Sequence, residues 1–245
     1  MPSVRGARKG ASCLAAAGVI ASDAARRLVS LLTGRDLPLP WMTALDSRAV
    51  AHIVRRADPR YVLEWGSGHS TGRFPREAPH LERWVSVEHD AAWHERTWSR
   101  RRHRGVELAL VPPDEPDAAG GDAATYKGYV AFPAGLGLGF DLVIIDGMAR
   151  LECLRAAPAL LSERGLVVLH DAHRYDCAAL LDGLGPPVEL EDPRNGFRIL
   201  VAGARSDPRS VLDMAYLEGL YAAVGELHGR LARSLGTAYL ALTYR

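Results

Sequence analysis

The residues best suited to chemistry stand at the ends of short apolar runs. Glu64 ends the run Tyr61–Leu63 and is followed by two closely spaced glycines, Gly66 and Gly68. Glycines at a tight turn let a ligand approach the bare main chain. Glu88 ends the next apolar run, at about the separation where an acid can meet the two hydroxyls of a ribose. Together these features predict a loop that binds a nucleoside-containing ligand.

Two later apolar runs also end in ionisable residues. Asp146 follows one of them, and His170 and Asp171 follow the other. Ligands of open parallel sheets bind at the carboxyl ends of the strands, so these side chains are candidates for the reaction site. His170 or His173 could remove a proton near neutral pH, and Asp146 could orient either imidazole. A simpler explanation for Asp146 and Asp171 is that they only cap the helices that follow.

Alternatives also exist for the glycine loop and its two acids. Glu64 and Glu88 could cap helices or pair with neighbouring arginines without touching a ligand. A nicotinamide dinucleotide is the obvious rival ligand. However, a GxGxxG pattern that starts at Gly66 reaches Thr71 where the third glycine should stand, which disfavours that rival.

The loop and the strand after it resemble motif I and its partner strand in class I S-adenosylmethionine-dependent methyltransferases. The matching segments are Val62–Thr71 and Val85–Asp90. More narrowly, the chain is similar to bacterial methyltransferase-like proteins with a Trp/Tyr-Gly-Ser-Gly-x-Ser-Thr loop. Those proteins tend to carry an upstream Pro-Trp, here Pro40-Trp41, and an Asp-Gly-x-Ala-Arg segment, here Asp146–Arg150. Plant glucuronoxylan 4-O-methyltransferases have a similar loop. The resemblance covers residues 38–201.

The resemblance implies a fold, a cofactor and a reaction. The fold is a Rossmann-like α/β domain with a mostly parallel seven-stranded sheet, helices on both faces, and extra helices at both ends of the chain. The reaction is transfer of a methyl group from S-adenosylmethionine to a hydroxyl of a small molecule or glycan. The expected cofactor-binding residues are Glu64, Gly66, Ser67, Gly68, Ser70, Thr71, Glu88, His89 and Asp146. The expected catalytic residues are Asp146, His170, Asp171 and His173.

A divalent metal such as Mg²⁺ is a further expectation from resemblance. O-methyltransferases of the catechol and caffeoyl type carry an acid after the fourth strand and an Asp-Asn pair after the fifth. Asp146 and Asp171 resemble the two acids, but Ala172 stands where the asparagine would be. His170 or His173 would have to supply the third ligand, although Mg²⁺ prefers oxygen to nitrogen. Metal dependence therefore stays open at this point.

The elements that must position these residues alternate along the chain. Strands are predicted at residues 61–64, 84–87, 106–111, 141–145, 165–169 and 197–201. Helices are predicted at 11–33, 46–56, 70–78, 91–102, 151–161, 175–184 and 211–235. The stretch 112–128 is rich in Pro, Gly and Asp and is predicted as a loop. Tyr126–Tyr129, at its end, could contact the acceptor, but a solvated loop is the favoured interpretation. Such alternation favours a parallel sheet covered on both faces.

The predicted organisation has three parts. Residues 1–36 form an N-terminal helical extension, 37–204 the methyltransferase domain, and 205–245 a C-terminal helical segment packed on the same domain. The segment 211–235 has apolar residues on more than one face, which would allow a homodimer contact. The N-terminal basic and apolar order resembles a signal peptide, but its Ala-rich run continues into a helical pattern, which favours a helix.

Composition narrows the function classes. The formal charge of +1 gives no overall field that would favour nucleic acid or an anionic membrane. The three cysteines form no CxxC pair, which argues against a disulfide scaffold or a cysteine zinc site and favours a cytoplasmic protein. No apolar run approaches the length of a membrane span. Two alternatives to methyl transfer are an aminopropyl transferase on the same fold and a non-catalytic S-adenosylmethionine-binding or assembly protein.

Overall fold

The computed structural model describes residues 4–34, 42–100, 105–115 and 125–243. The chain forms two compact units. The larger unit comprises Val50–Glu189 and Arg198–Leu212, and the smaller one comprises Met1–Ala49, Leu190–Phe197 and Asp213–Arg245. The three-part organisation with boundaries after residues 36 and 204 stays a prediction.

A seven-stranded sheet supports the predicted reaction site. Its strands are β1 (Tyr61–Trp65), β2 (Arg83–Glu88), β3 (Val106–Leu110), β4 (Phe140–Ile145), β5 (Leu161–Leu169), β6 (Val188–Glu191) and β7 (Arg198–Gly203). Their order is β3-β2-β1-β4-β5-β7-β6. The pairs among β1 to β5 are parallel, and β7 runs antiparallel to β5. The predicted fold class, a mostly parallel seven-stranded sheet with helices, is therefore confirmed.

Helices precede, connect and follow the strands. They are α1 (Val4–Thr33), α2 (Ala44–Ala57), α3 (His69–Arg73), α4 (Ala91–Arg100), α5 (Lys127–Ala131), α6 (Arg150–Leu160), α7 (Pro208–Val211) and α8 (Met214–Thr243). A non-helical Gly236 kinks α8. The predicted extra helices at both ends are present. Among the described residues, no helix combines the length and the hydrophobicity needed to cross a bilayer.

The central strands are buried on both faces. In β1, β2 and β4 nearly every residue is buried, including Trp65, Trp84 and Phe140. A strand covered on both faces reads as a continuous apolar run, which is why these strands are recognisable from sequence. Because β1, β2, β4 and β5 run in the same direction, the polar residues that end them lie at the same edge of the sheet.

Two element predictions are wrong. The helix expected at 175–184 is only a 3-10 turn at Ala178–Leu180, because Gly183 with φ 82° and the glycine and prolines after it leave too few residues for a stable helix. The expected solvated loop at Tyr126–Tyr129 instead leads into α5, with both tyrosine rings in the core. Burial of large aromatic area outweighed the local loop composition.

Other predictions differ in detail or fall outside the described residues. Strand β6 was not predicted, since it is short and edge-like, with only Val188 and Leu190 buried. The poor helix at 70–78 is α3 followed by a 3-10 turn at Phe74–Glu77. Pro40-Trp41, residues 101–102 of the predicted helix at 91–102, and residues 116–124 of the predicted loop lie outside the described residues.

The smaller unit contains a buried ion network. Helices α1 and α8 pack on each other within it. Arg194 lies between two carboxylates, with Nη2 2.6 Å from Asp192 Oδ2 and Nη1 2.7 Å from Asp23 Oδ2. Asp23 Oδ1 also accepts a hydrogen bond from the Ala44 amide at 2.8 Å. The network therefore joins segments of this unit that are far apart in sequence.

Candidate functional site

The loop after β1 contacts the loop after β4 through two glycines. Gly66 has a φ of 98°, and a Cβ on it would lie 2.5 Å from the Gly147 amide nitrogen. A Cβ on Gly147 would in turn lie 2.8 Å from the Gly66 nitrogen. Both positions therefore need glycine for the packing of the protein itself. Gly68 differs, because a Cβ there would meet only ordinary contacts at 3.7 Å from the Trp93 ring.

Glu64 holds this loop against β1. Its carboxylate is fully buried and accepts hydrogen bonds from Ser70 Oγ at 2.6 Å, Thr71 Oγ1 at 2.7 Å and Trp84 Nε1 at 2.9 Å. Burial raises the pKa of Glu64, and these hydrogen bonds offset part of that rise. The cofactor contact predicted for Glu64, Ser70 and Thr71 stays a prediction, since the geometry shows them bonded to one another.

Glu88 joins the same loop to the end of β2. Its Oε2 accepts from the Ser67 amide at 3.1 Å and from Ser67 Oγ at 2.8 Å, and its Oε1 accepts from the amides of His89 and Asp90 at 2.8 and 2.9 Å. Burial alone would raise the pKa of Glu88, but hydrogen bonds from His89, Asp90 and Ser67 lower it. A carboxylate has about four acceptor positions. A ribose hydroxyl would therefore have to replace one of these donors, and Ser67 Oγ is the one free to rotate.

An aromatic group lies beside Glu88. The His89 ring meets Tyr126 and Tyr129 edge-on, with centroids 5.6 and 6.2 Å apart. His89 Nδ1 also lies 2.9 Å from Glu88 Oε1, and its side chain is partly exposed. The prediction that His89 contacts the cofactor fits this exposure but stays a prediction.

The carboxyl ends of β4 and β5 bring three predicted catalytic residues together. Asp146 follows β4, and its Oδ1 lies 2.8 Å from His170 Nδ1. His170 Nε2 lies 3.7 Å from Asp171 Oδ1. The His170 side chain is buried, at 5% exposed, whereas the Asp146 and Asp171 side chains are 16% and 20% exposed. His173 has a different contact, because its Nδ1 accepts from the Arg198 amide of β7 at 3.3 Å.

Arg150, the first residue of α6, organises this cluster and was not predicted as a site residue. Its guanidinium donates to the carbonyls of Gly147, His170 and Asp146 at 2.9, 2.8 and 3.0 Å. It also lies 3.1 Å from Asp146 Oδ1 and 3.3 Å from Asp171 Oδ2. The only sequence signal was its place in the Asp-Gly-x-Ala-Arg segment.

The described residues do not fit the expected metal. They contain no group of three or more His, Cys, Asp or Glu side chains placed to hold an ion. Asp146 and Asp171 both face the Arg150 guanidinium, which already supplies a positive charge between them. The prediction of a Mg²⁺ site at these two acids is therefore not supported, and no step below depends on a metal.

Three solved structures are among those similar to this chain. A methyltransferase-like protein from Silicibacter pomeroyi is similar to this chain, with 21% identity, 75% of this chain and 97% of that chain covered, and a TM-score of 0.49. Spermidine synthase from Thermotoga maritima has 17% identity and a TM-score of 0.48, with 81% of this chain and 77% of that chain covered. An S-adenosylmethionine-bound amino pentose methyltransferase from Micromonospora echinaspora has 16% identity and a TM-score of 0.43, with 65% of this chain and 90% of that chain covered. No family model and no curated protein matches the chain.

Proposed function

We propose that this chain transfers a methyl group from S-adenosylmethionine to a hydroxyl of a small molecule or sugar. The observation that carries the proposal is the hydrogen bond between His170 Nδ1 and Asp146 Oδ1, at the edge of the sheet where the glycine loop also lies. An imidazole oriented by a carboxylate is a suitable base for a hydroxyl proton. The motif I resemblance of the loop supports the cofactor.

The loop after β1 and the end of β2 would hold the cofactor. Gly66 and Gly68 present bare main chain, and Ser67 with Glu88 offers a hydroxyl and a carboxylate for the ribose. His89, which is partly exposed, could lie against the base. The clearest expectation concerns Gly68, because a Cβ there would make only ordinary contacts with the protein itself.

The residues after β4 and β5 would serve the acceptor. S-adenosylmethionine supplies a methyl group that is already activated by its sulfonium, so the acceptor oxygen displaces a neutral thioether. His170 accepts the proton that leaves the hydroxyl, and Asp146 stabilises the resulting imidazolium. Asp171 is the most exposed of the three and would orient the acceptor. Arg150 keeps the two carboxylates at their strand ends while the proton moves.

A hydroxyl acceptor fits this site better than an amine. A neutral amine attacks without prior loss of a proton, whereas a sugar or alcohol hydroxyl must lose its proton during attack. The oriented His170 and Asp146 pair would be needed only in the second case. Small molecules and glycan units remain the two acceptor classes within the proposal.

The first test is titration calorimetry with S-adenosylmethionine, comparing the wild type with Gly68→Ala. We expect binding to weaken at least tenfold, about 1.4 kcal/mol, with little change in melting temperature, because the new methyl group would enter the ligand space. The matched control is Gly139→Ala, which makes similar ordinary contacts, at 3.5 Å from Ser162, at the other end of β4. It should bind as the wild type does.

The proposal that the acceptor group is a hydroxyl is tested by measuring S-adenosylhomocysteine formation with matched panels of alcohols, phenols, sugars and amines. Turnover of hydroxyl acceptors that falls about a hundredfold or more in His170→Asn, with cofactor affinity unchanged, would support the proposal. Turnover of amines alone would overturn the O-methyl part. Failure of the folded wild type to bind S-adenosylmethionine would overturn the whole proposal.

A further inference from the structure

A buried hydroxyl without an acceptor lies beside the glycine loop. Tyr129, in α5, is 0% exposed. Its oxygen receives a hydrogen bond from the Met148 main chain, but its proton has no hydrogen-bond acceptor among the described residues. Buried polar groups are nearly always paired in native proteins, and an unpaired one costs folding free energy. One explanation for such a group is a bound ligand that supplies the missing acceptor.

The position of this hydroxyl relates it to the predicted cofactor loop. A Cβ on Gly147 would lie 2.3 Å from Tyr129 Oη, so the hydroxyl rests directly against the Gly147 main chain. Gly147 in turn meets Gly66. These glycines follow β4 and β1, which are paired neighbours with Trp65 opposite Ile145. The hydroxyl therefore lies at the carboxyl ends of two adjacent parallel strands, where ligands of such sheets bind.

The tyrosine is also held in one orientation and in one protonation state. Trp65 Nε1 donates to the Tyr129 carbonyl at 3.2 Å, and the ring packs edge-on against Tyr126 and His89. Burial raises the pKa of Tyr129 well above its ordinary value, and the Cys153 and Glu88 side chains add to the rise. The hydroxyl therefore keeps its proton at neutral pH. Its oxygen accepts a hydrogen bond from the Met148 main chain, and its proton still needs an acceptor.

We infer that Tyr129 is a binding residue for the cofactor and that its hydroxyl donates a hydrogen bond to bound S-adenosylmethionine. This inference rests on the proposed function. The cofactor carries carboxylate, hydroxyl and ring-nitrogen acceptors, any of which would satisfy the donor. Binding would then supply the acceptor that the free protein lacks, so the donated hydrogen bond contributes to affinity and not to the stability of the free fold.

The test is Tyr129→Phe in the full chain, with two measurements. Titration with S-adenosylhomocysteine should show affinity about fivefold to tenfold weaker than in the wild type. Thermal unfolding without ligand should show a melting temperature close to that of the wild type. The variant keeps the ring and removes a buried donor without an acceptor, which offsets the loss of the Met148 hydrogen bond. A hydroxyl with a mainly structural role would instead lower the melting temperature clearly.

Tyr221→Phe is the matched control. The Tyr221 hydroxyl is also buried and has no hydrogen-bond partner among the described residues, but Tyr221 belongs to the smaller unit. We expect Tyr221→Phe to keep or raise the melting temperature and to leave S-adenosylhomocysteine affinity unchanged. The comparison separates a contribution to ligand binding from the general consequence of removing a buried hydroxyl.

Two results would overturn the inference alone, with wild-type binding intact. One is Tyr129→Phe affinity equal to that of the wild type, and the other is a melting temperature that falls by several degrees. A folded wild type that does not bind S-adenosylhomocysteine is a different outcome, which overturns the proposed function and this inference with it.

Discussion

Arg150 and Arg194 each lie between two aspartates, but the two networks are built differently. Arg194 directs its donors at carboxylates, with Asp192 and Asp23 at 2.6 and 2.7 Å. Its side chain is only 4% exposed, and Asp192 is fully buried. The carboxylates of Asp192 and Asp23 raise the pKa of Arg194 despite its burial. This network is closed, and its role is to hold distant segments of one unit together.

The Arg150 network is open. Arg150 donates mainly to main-chain carbonyls, and its carboxylate contacts with Asp146 and Asp171 are longer, at 3.1 and 3.3 Å. The two carboxylates also keep partial exposure. The Arg194 guanidinium is therefore taken up by carboxylates, whereas the Arg150 guanidinium is taken up mainly by main-chain carbonyls and leaves parts of both carboxylates exposed to solvent.

The largest effect is expected from breaking the closed network. Arg194→Met leaves the buried Asp192 carboxylate and the partly exposed Asp23 carboxylate without their cation. We expect the free energy of unfolding to fall by about 3–5 kcal/mol, measured by urea denaturation. The control is Arg205→Met, whose ion pair with Glu163 spans 3.6 Å between highly exposed side chains, and which should cost less than about 0.5 kcal/mol. Equal losses of unfolding free energy in the two variants would contradict the stabilising role of the Arg194 network.

A smaller effect on stability and a larger one on binding are expected at the open network. Arg150→Met releases the carbonyls after β4 and β5, so S-adenosylmethionine affinity should fall at least tenfold, about 1.4 kcal/mol. Arg150→Lys keeps the charge but lacks the guanidinium fork that reaches several carbonyls at once, so it should restore little of that affinity. Calorimetry and urea denaturation check both. If Arg150→Lys bound S-adenosylmethionine as tightly as the wild type does, only the charge of residue 150 would matter.

The smallest effects are expected in the pH dependence of stability, which distinguishes two buried acids of the larger unit, Glu88 and Glu64. The pKa of Glu88 is lowered on folding, so its stabilising contribution is present above its ordinary pKa and is lost as pH falls. The pKa of Glu64 is raised, so stability falls as pH rises from its ordinary pKa toward the raised value. Urea denaturation of Glu88→Gln and Glu64→Gln between about pH 3 and pH 8 should therefore give differences from wild type with opposite slopes.

Glu163→Gln makes the same substitution at a highly exposed side chain and serves as its control in that series. Slopes of the same sign for Glu64→Gln and Glu88→Gln would show that the two buried acids do not differ in the way their hydrogen bonds indicate.

Much of the site could be predicted because its residues are tied to local patterns. Glu64, Glu88, Asp146 and His170 follow apolar runs, and those runs are the strands β1, β2, β4 and β5. Their partners could not be predicted. No spacing rule indicates that the Glu88 carboxylate is already occupied by Ser67 and by main-chain amides, because those bonds depend on how the loop folds.

The sequence by itself determined the parallel sheet and the edge at which its polar residues gather, because strands buried on both faces leave continuous apolar runs. Only the tertiary structure decided which donors and acceptors meet. Arg194 reaches Asp23 across 171 positions of the chain, and Tyr129 reaches Gly147 through the packing of α5. Such contacts have no periodic signature, since they depend on the packing of segments distant in sequence and not on the conformation of any one segment.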